Sequence, residues 1–228
     1  MTSIYHDNLQ SRCPDLFNLA EYVLENANKN PTKKALEIIS KFSNYSISFE
    51  ELKSQVLKTG NALIKLGLNR NAKILLRLDN TVTFPIAYLG AISVGIIPVP
   101  TSISLTEYEL MELVKILQPE AIITSKFLSG NLGNVKIISE TEIKKLSFEG
   151  DEANFEKGDP DRLAYIVFTS GTSNKPRAVL HAHRAIWARQ SMHSDWYALT
   201  SNDRLLHAGA FNWTYTLGTG LLDHCLLY

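Results

Sequence analysis

The stretch Tyr165-Ile166-Val167-Phe168-Thr169-Ser170-Gly171-Thr172-Ser173-Asn174-Lys175-Pro176-Arg177 opens on apolar residues and breaks into a polar loop. With Leu163 and Ala164 before it, the apolar part predicts a continuous buried strand over 163–168. In the loop, four hydroxyl residues surround one glycine, and two cations and a proline follow. Glycine allows close approach of backbone to a ligand. Hydroxyls and exposed N–H groups donate to phosphate oxygens, as in anion-binding nests. Lys175 and Arg177 supply positive charge, Arg177 with a two-pronged guanidinium. The loop is not of the Walker type, which needs a second glycine before the lysine. Nor is it a serine-nucleophile elbow, because Gly171-Thr172-Ser173-Asn174-Lys175 lacks the closing glycine. Chemistry alone leaves two readings, a ligand-free polar surface loop and a phosphate cradle.

Outward from the loop, the pattern alternates between the two regular periods. Downstream, 178–180 reads as a strand and about 183–199 as a helix. Upstream, apolar spacing over 15–28 predicts a helix with Asp15 as its N-cap. Strands are expected at 35–40 and 44–49. Ser48 and Glu51 form a capping-box pattern that opens a helix ending at Gly67. Further strands are expected at 73–78, 96–99, 120–124 and 135–138, with helices at 85–94 and 105–117. The most apolar stretch, Ile86 to Pro100, is too short for a membrane span and carries Gly90, Gly95, Pro98 and Pro100. It reads as a buried helix running into a buried strand. Alternating strands and helices imply crossover connections, hence an α/β fold of mostly parallel sheets flanked by helices. Between Glu140 and Arg162, eight acidic residues face four basic ones. That segment is expected to be a solvated connection between a first subdomain, about 14–139, and a second that starts at 163 and runs to 228.

Composition excludes several classes. Lys+Arg and Asp+Glu each total 23 in 228 residues, a balance that argues against a nucleic-acid binder working through a general basic surface and leaves a local basic site open. The two cysteines, Cys13 and Cys225, match no zinc spacing and no disulfide scaffold. The first residues lack an apolar signal core, so the expected location is cytoplasmic. Nothing in the sequence fixes an oligomeric state.

The loop resembles the phosphate-binding signature of the adenylate-forming superfamily, whose form is Thr-Ser-Gly-Thr-Thr-Gly-x-Pro-Lys-Gly. The chain keeps Thr169, Ser170, Gly171, Thr172, Ser173 and Pro176. It departs at Asn174, Arg177 and Ala178. Asparagine tolerates positive φ best among non-glycine residues, and arginine preserves the charge. Three other segments resemble the same family in order: Asn30-Pro31 to Ala35, Ser46 to Leu52, and Ala87 to Pro100. The resemblance implies the incomplete N-terminal domain of the adenylate-forming fold over 1–228, with the small C-terminal domain absent. It implies an acid–thiol ligase that uses ATP, with Mg²⁺ arriving on ATP and coenzyme A as co-substrate. A carboxylic acid forms an acyl-adenylate and then an acyl-CoA. Thr169, Ser170, Gly171, Thr172, Ser173, Asn174, Lys175 and Arg177 are then the ATP-phosphate residues, Lys175 at the family's variable position. No catalytic residue and no resident metal ligand is assigned. The family's adenine and ribose contacts and its adenylation lysine are not found before Tyr228, so the segment alone is expected to be inactive. A non-catalytic nucleotide-binding relative is the alternative.

Downstream, Phe211, Trp213 and Tyr215 alternate like one face of a strand. By ungapped offset from Asp203, Trp213 falls where the family places a ring or histidine near the carboxylate pocket, so Phe211 and Trp213 are the candidate acid-pocket residues. Core packing is the competing account. His181, His183 and His193 lack a carboxylate or cysteine at metal-site spacing. Leu221 to Leu227 is expected to be an exposed apolar end.

Overall fold

The structure is a computed structural model that describes residues 11–41, 44–130, 132–169 and 177–227. The chain opens with two short helices, α1 (Leu19–Val23) and α2 (Asn26–Lys29), where a single helix was expected. The cap is Asn18 and not Asp15. The Asn18 side chain accepts from the N–H groups of Ala20 and Glu21, and its amide donates to the carbonyls of Ile92, Ser93 and Glu156. Asp15 is instead an exposed partner of Arg12 at 2.9 Å. A buried side chain that satisfies both the helix start and a distant loop outcompetes a surface aspartate.

Strands β1 (Lys34–Ile39) and β2 (Asn44–Ser48) pair antiparallel. The Ser48–Glu51 capping box is present and opens α3 (Phe49–Lys65), which Gly67 terminates at φ +87°. Four strands then form a wholly parallel sheet in the order β4-β3-β5-β6: β3 (Lys73–Arg77), β4 (Ile97–Pro100), β5 (Ala121–Thr124) and β6 (Lys136–Ser139). Pro98 and Pro100 sit in the edge strand, where a missing N–H is tolerated. Helix α4 (Thr83–Ser93) is buried at every residue and runs into β4, as its all-round apolar composition requires. It crosses α3 closely: a Cβ on Gly60 would lie 2.9 Å from the Gly90 carbonyl oxygen. Helix α5 (Glu107–Leu117) opens on a second capping box, Thr106 with Glu109.

The acidic segment differs from expectation. It begins as α6 (Glu140–Phe148), with Ile143 and Ser147 buried. Its remainder binds the helices α3 and α4 through Ala153 N–H to Leu57 O and Glu156 N–H to Ser93 O. Glu156 also pairs with Arg70 at 2.8 Å and Arg162 at 3.3 Å. Acidic composition hid this because it does not show that Glu156 is met by Arg70 from outside the segment and by Arg162 at its end.

Strands β7 (Leu163–Thr169) and β8 (Arg177–Ala182) pair antiparallel, and Leu163, Ile166 and Phe168 pack beside Ile97 and Val99 of β4. The helix expected over 183–199 is split into α7 (Ala185–Ala188) and α8 (Gln190–Asp195). No strand forms at 211–215; those residues make a turn leading into a π-helix (Thr216–Leu222) and α9 (Asp223–Leu227). The expectation of an exposed apolar end is corrected: Leu221, Leu222 and Cys225 belong to the main core, and Asn26 donates to the Cys225 carbonyl at 2.8 Å. Among the described residues, no helix is long and apolar enough to cross a membrane.

Candidate functional site

The β7–β8 register pairs Thr169 with Arg177, so the last strand residue and the first residue after the loop lie directly opposite each other. Both are solvent-exposed, and among the described residues Arg177 forms no ion pair. Of the other phosphate-loop candidates, Ser170, Gly171, Thr172, Ser173, Asn174 and Lys175 lie outside the described residues, as does Pro176. Ala178, which replaces a family glycine, is an ordinary strand residue.

The base of this strand pair is anchored by buried polar contacts. His183 is 1% exposed, and its Nδ1 accepts from the Leu19 N–H at 3.0 Å. Arg162 donates to the carbonyls of Phe17 and Glu156. The His181 ring stacks on Tyr165 at 4.4 Å and 5°. His181 and His183 therefore serve packing and hydrogen bonding. Among the described residues, no group of three or more His, Cys, Asp or Glu side chains gathers as a metal site.

Burial, and then the Arg162 and Arg70 charges, push His183 down from 6.5 to about 3. A lowered histidine pKa means the unfolded chain takes up the proton first. Its stabilising contribution is complete above about pH 6.5 and falls as the pH drops toward 3. Unfolding free energy should decrease by about 2–3 kcal/mol between pH 7 and pH 4.5 from this group. His183→Asn, which keeps an acceptor near Nδ1, should flatten that slope in denaturant titrations. An equal slope in the variant would assign the acid sensitivity elsewhere.

The turn at 209–215 is tied to the carboxyl end of β3. Asn80 donates to the Gly209 carbonyl at 2.8 Å and accepts from the Phe211 N–H at 3.1 Å. Ligands of open α/β sheets bind beyond the carboxyl ends of parallel strands. Phe211 is half-buried and stacks on Phe84 at 4.9 Å. Trp213 is 66% exposed, so the core-packing account does not hold for it. The next two residues, Thr214 and Tyr215, line a cavity of about 380 Å³ with Arg189, Met192, Trp196 and Tyr197. Behind that cavity lies Asp223, 0% exposed. Arg189 Nε donates to its Oδ1 at 2.7 Å, Nη2 donates to Oδ2, and His193 Nε2 lies 3.4 Å from Oδ1. A second cavity, of about 450 Å³, is lined by Arg12, Cys13, Asp15, Asp159, Pro160, Asp161 and Arg184. Its cations are already paired with its own carboxylates, Arg12–Asp15 at 2.9 Å and Arg184–Asp161 at 2.5 Å.

Sequence reading missed Asn80, Arg189 and Asp223. The available signal was Asp223 itself: a carboxylate inside the apolar run 221–227 needs a buried partner.

The family model described as AMP-binding enzyme matches residues 23–223. The chain belongs to the AMP-binding enzyme family. It is similar to the 3-hydroxybenzoate–CoA/4-hydroxybenzoate–CoA ligase of Thauera aromatica, 23% identical over 195 residues that cover 78% of the chain and 37% of the relative. It is 30% identical over 196 residues to the FR901469 synthetase of Dothideomycetidae sp. (strain 11243), covering 83% of the chain and 1% of that protein. Its fold matches a benzoate CoA ligase from Burkholderia xenovorans LB400 with a TM-score of 0.78 at 23% identity, over 91% of the chain and 43% of that structure. The chain thus spans less than half the length of these relatives.

Proposed function

We propose that residues 1–228 supply the ATP-phosphate and acid-binding part of an ATP-dependent carboxylate–CoA ligase. The observation that carries this reading is the pairing of Thr169 with Arg177, which flanks a Thr-Ser-Gly-Thr-Ser loop inside the family match. The exposed Thr169 hydroxyl and the Arg177 guanidinium fit a polyphosphate bound with Mg²⁺. In the reaction, a carboxylate oxygen attacks the α-phosphorus of ATP and pyrophosphate leaves; the CoA sulfur then attacks the acyl carbonyl and AMP leaves. Ser170, Thr172, Ser173 and Arg177 hold the β- and γ-phosphate oxygens, so negative charge that grows on the leaving group is stabilised. In this reading Gly171, Asn174 and Lys175 belong to the same phosphate-binding set, glycine for its lack of a side chain and lysine for its charge. The named relatives are ligases and synthetases, so a non-catalytic nucleotide binder is not favoured.

The test is acid-dependent ATP–pyrophosphate exchange by the complete ligase polypeptide that carries this segment. Absence of exchange with every carboxylic acid tried would overturn the reading. Residues 1–228 alone should bind ATP weakly and form no acyl-AMP, since holding reactants in attack geometry contributes ~7–11 kcal/mol and the segment spans only 37% of a similar ligase. Acyl-AMP formation by the purified segment, followed by chromatography, would contradict this.

Phe211 and Trp213 flank the acid end of the site, with support from their place just before the cavity-lining Thr214 and Tyr215. Trp213→Gly should shift preference toward bulkier acids, by ~0.8 kcal/mol for each CH₂ newly accommodated. At 66% exposure its removal should cost little stability. Unchanged relative rates across an acid size series would place Trp213 outside the pocket.

A further inference from the structure

Phe17, Asn18 and Leu19 together hold both ends of the hairpin that carries the phosphate loop. Arg162 stands immediately before β7, and its Nη1 donates to the Phe17 carbonyl at 2.6 Å. His183 stands immediately after β8, and its Nδ1 accepts from the Leu19 N–H at 3.0 Å. The His183 N–H donates to the Arg162 carbonyl at 3.1 Å, which ties the two strand ends to each other. Between Phe17 and Leu19, the Asn18 amide donates to the carbonyls of Ile92 and Ser93 at the end of α4 and to that of Glu156. Asn18 and His183 are each 1% exposed, so water competes little for these bonds. Among the described residues β7 and β8 pair with no other strand, and β7 meets β4 through the apolar side chains of Leu163, Ile166 and Phe168. Apolar contact is non-directional, whereas the hydrogen bonds at the base fix an orientation.

We propose that Asn18 is a positioning residue for adenylation: by locking residues 17–19 to the end of α4, it fixes the base of the β7–β8 hairpin and hence where Thr169, Arg177 and the loop between them meet the phosphates. The inference rests on the ligase reading above and adds to it a residue remote from the loop. Leverage gives the clamp its weight. Strand β7 sets the loop about 20 Å from the clamp, at about 3.3 Å per residue, so a tilt of about 3° at the base moves the loop by about 1 Å. A misplacement of that size can cost about a hundredfold in rate. Asn18 also has a purely structural duty, because its Oδ1 accepts from the N–H groups of Ala20 and Glu21 and caps α1. The two duties use different atoms: Oδ1 caps the helix, and Nδ2 makes the three bonds of the clamp. A substitution can therefore separate them.

Asn18→Ser keeps a capping oxygen but is too short to reach the three carbonyls, and Asn18→Ala removes both functions. Both are made in the complete ligase polypeptide, and ATP–pyrophosphate exchange is measured with ATP and the acid varied in turn. Asn18→Ser should lower kcat for this reaction about tenfold or more and raise the KM for ATP, with the KM for the acid changed less than about twofold. Asn18→Ala should match it in kcat and unfold at lower urea concentration. Amide hydrogen–deuterium exchange on the same samples should quicken in β7 and β8 of Asn18→Ser and stay at the wild-type rate in α3 and β3. Wild-type kcat in Asn18→Ser would reduce Asn18 to a helix cap and overturn the proposal. So would equal rises in both KM values with kcat kept, or unchanged deuterium uptake in β7 and β8. If Asn18→Ala fails to fold, Asn18→Ser decides alone; if that variant fails too, Asn18→Asp replaces it, since aspartate caps equally well and lacks the amide donors. A wild-type polypeptide that catalyses no pyrophosphate exchange with any acid defeats the ligase reading; one that does, and is indifferent to Asn18, defeats only this inference.

Discussion

Replacing Asp223 alone by alanine should destabilise the protein by about 3–5 kcal/mol, the range for breaking a buried ion pair from one side. Asp223 is completely buried and Arg189 meets it with two hydrogen bonds. Burial by itself would raise the carboxyl pKa. The hydrogen bonds and charges of Arg189 and His193 outweigh that and hold it below its ordinary 3.8. Most of the cost of Asp223→Ala comes from the arginine left behind, partly buried between Gly218 and the cavity wall. The bridge also joins two stretches that share no strand, the helices after β8 and the π-helix with α9. Equilibrium unfolding in urea, followed by circular dichroism, measures the effect. A loss below 1 kcal/mol would mean that Arg189 finds solvent or another acceptor and that the bridge fixes little.

Ser170→Ala combined with Thr172→Ala should slow adenylation in the complete ligase polypeptide by about a hundredfold or more. Removing one well-placed donor from a site where charge develops costs ~2–4 kcal/mol. Two hydroxyls acting on one pyrophosphate are not additive, so the double variant should fall short of twice that figure. Affinity for the carboxylic acid should change little, because the hydroxyls meet the phosphates and not the acid. ATP–pyrophosphate exchange, measured beside equilibrium binding of the acid, separates the two effects. Full exchange rates in the double variant would remove these residues from the phosphate site.

How much was legible in the sequence depended on whether the deciding contact was local. The capping box at Ser48 and Glu51, the stop at Gly67 and the buried helix–strand run from 86 to 100 all rest on neighbours within a few residues, and each forms as read. The parallel order of the central sheet followed from alternating periods alone. The family emerged from four short motifs in sequence order, and the match over 23–223 agrees.

Long-range partners decided the rest. Asn18 caps α1 in place of Asp15 because its amide also satisfies carbonyls 74, 75 and 138 positions away. The acidic run after Glu140 becomes helix and bound strap because Arg70 and Arg162 meet Glu156, and no composition count shows which cation faces which carboxylate. Alternation at Phe211, Trp213 and Tyr215 suggested a strand. Instead Asn80 pins both sides of a turn there and leaves Trp213 in solvent. By itself the sequence determined the fold class and most of the elements of the central sheet and its flanking helices, since these depend on period, caps and residue type over short spans. Only the tertiary structure decided that Arg189 and Asp223 meet across 34 positions, with Arg189 also lining a cavity. A buried charge can choose any partner that the packed chain brings within hydrogen-bond reach, and that choice is made by packing and not by sequence neighbourhood.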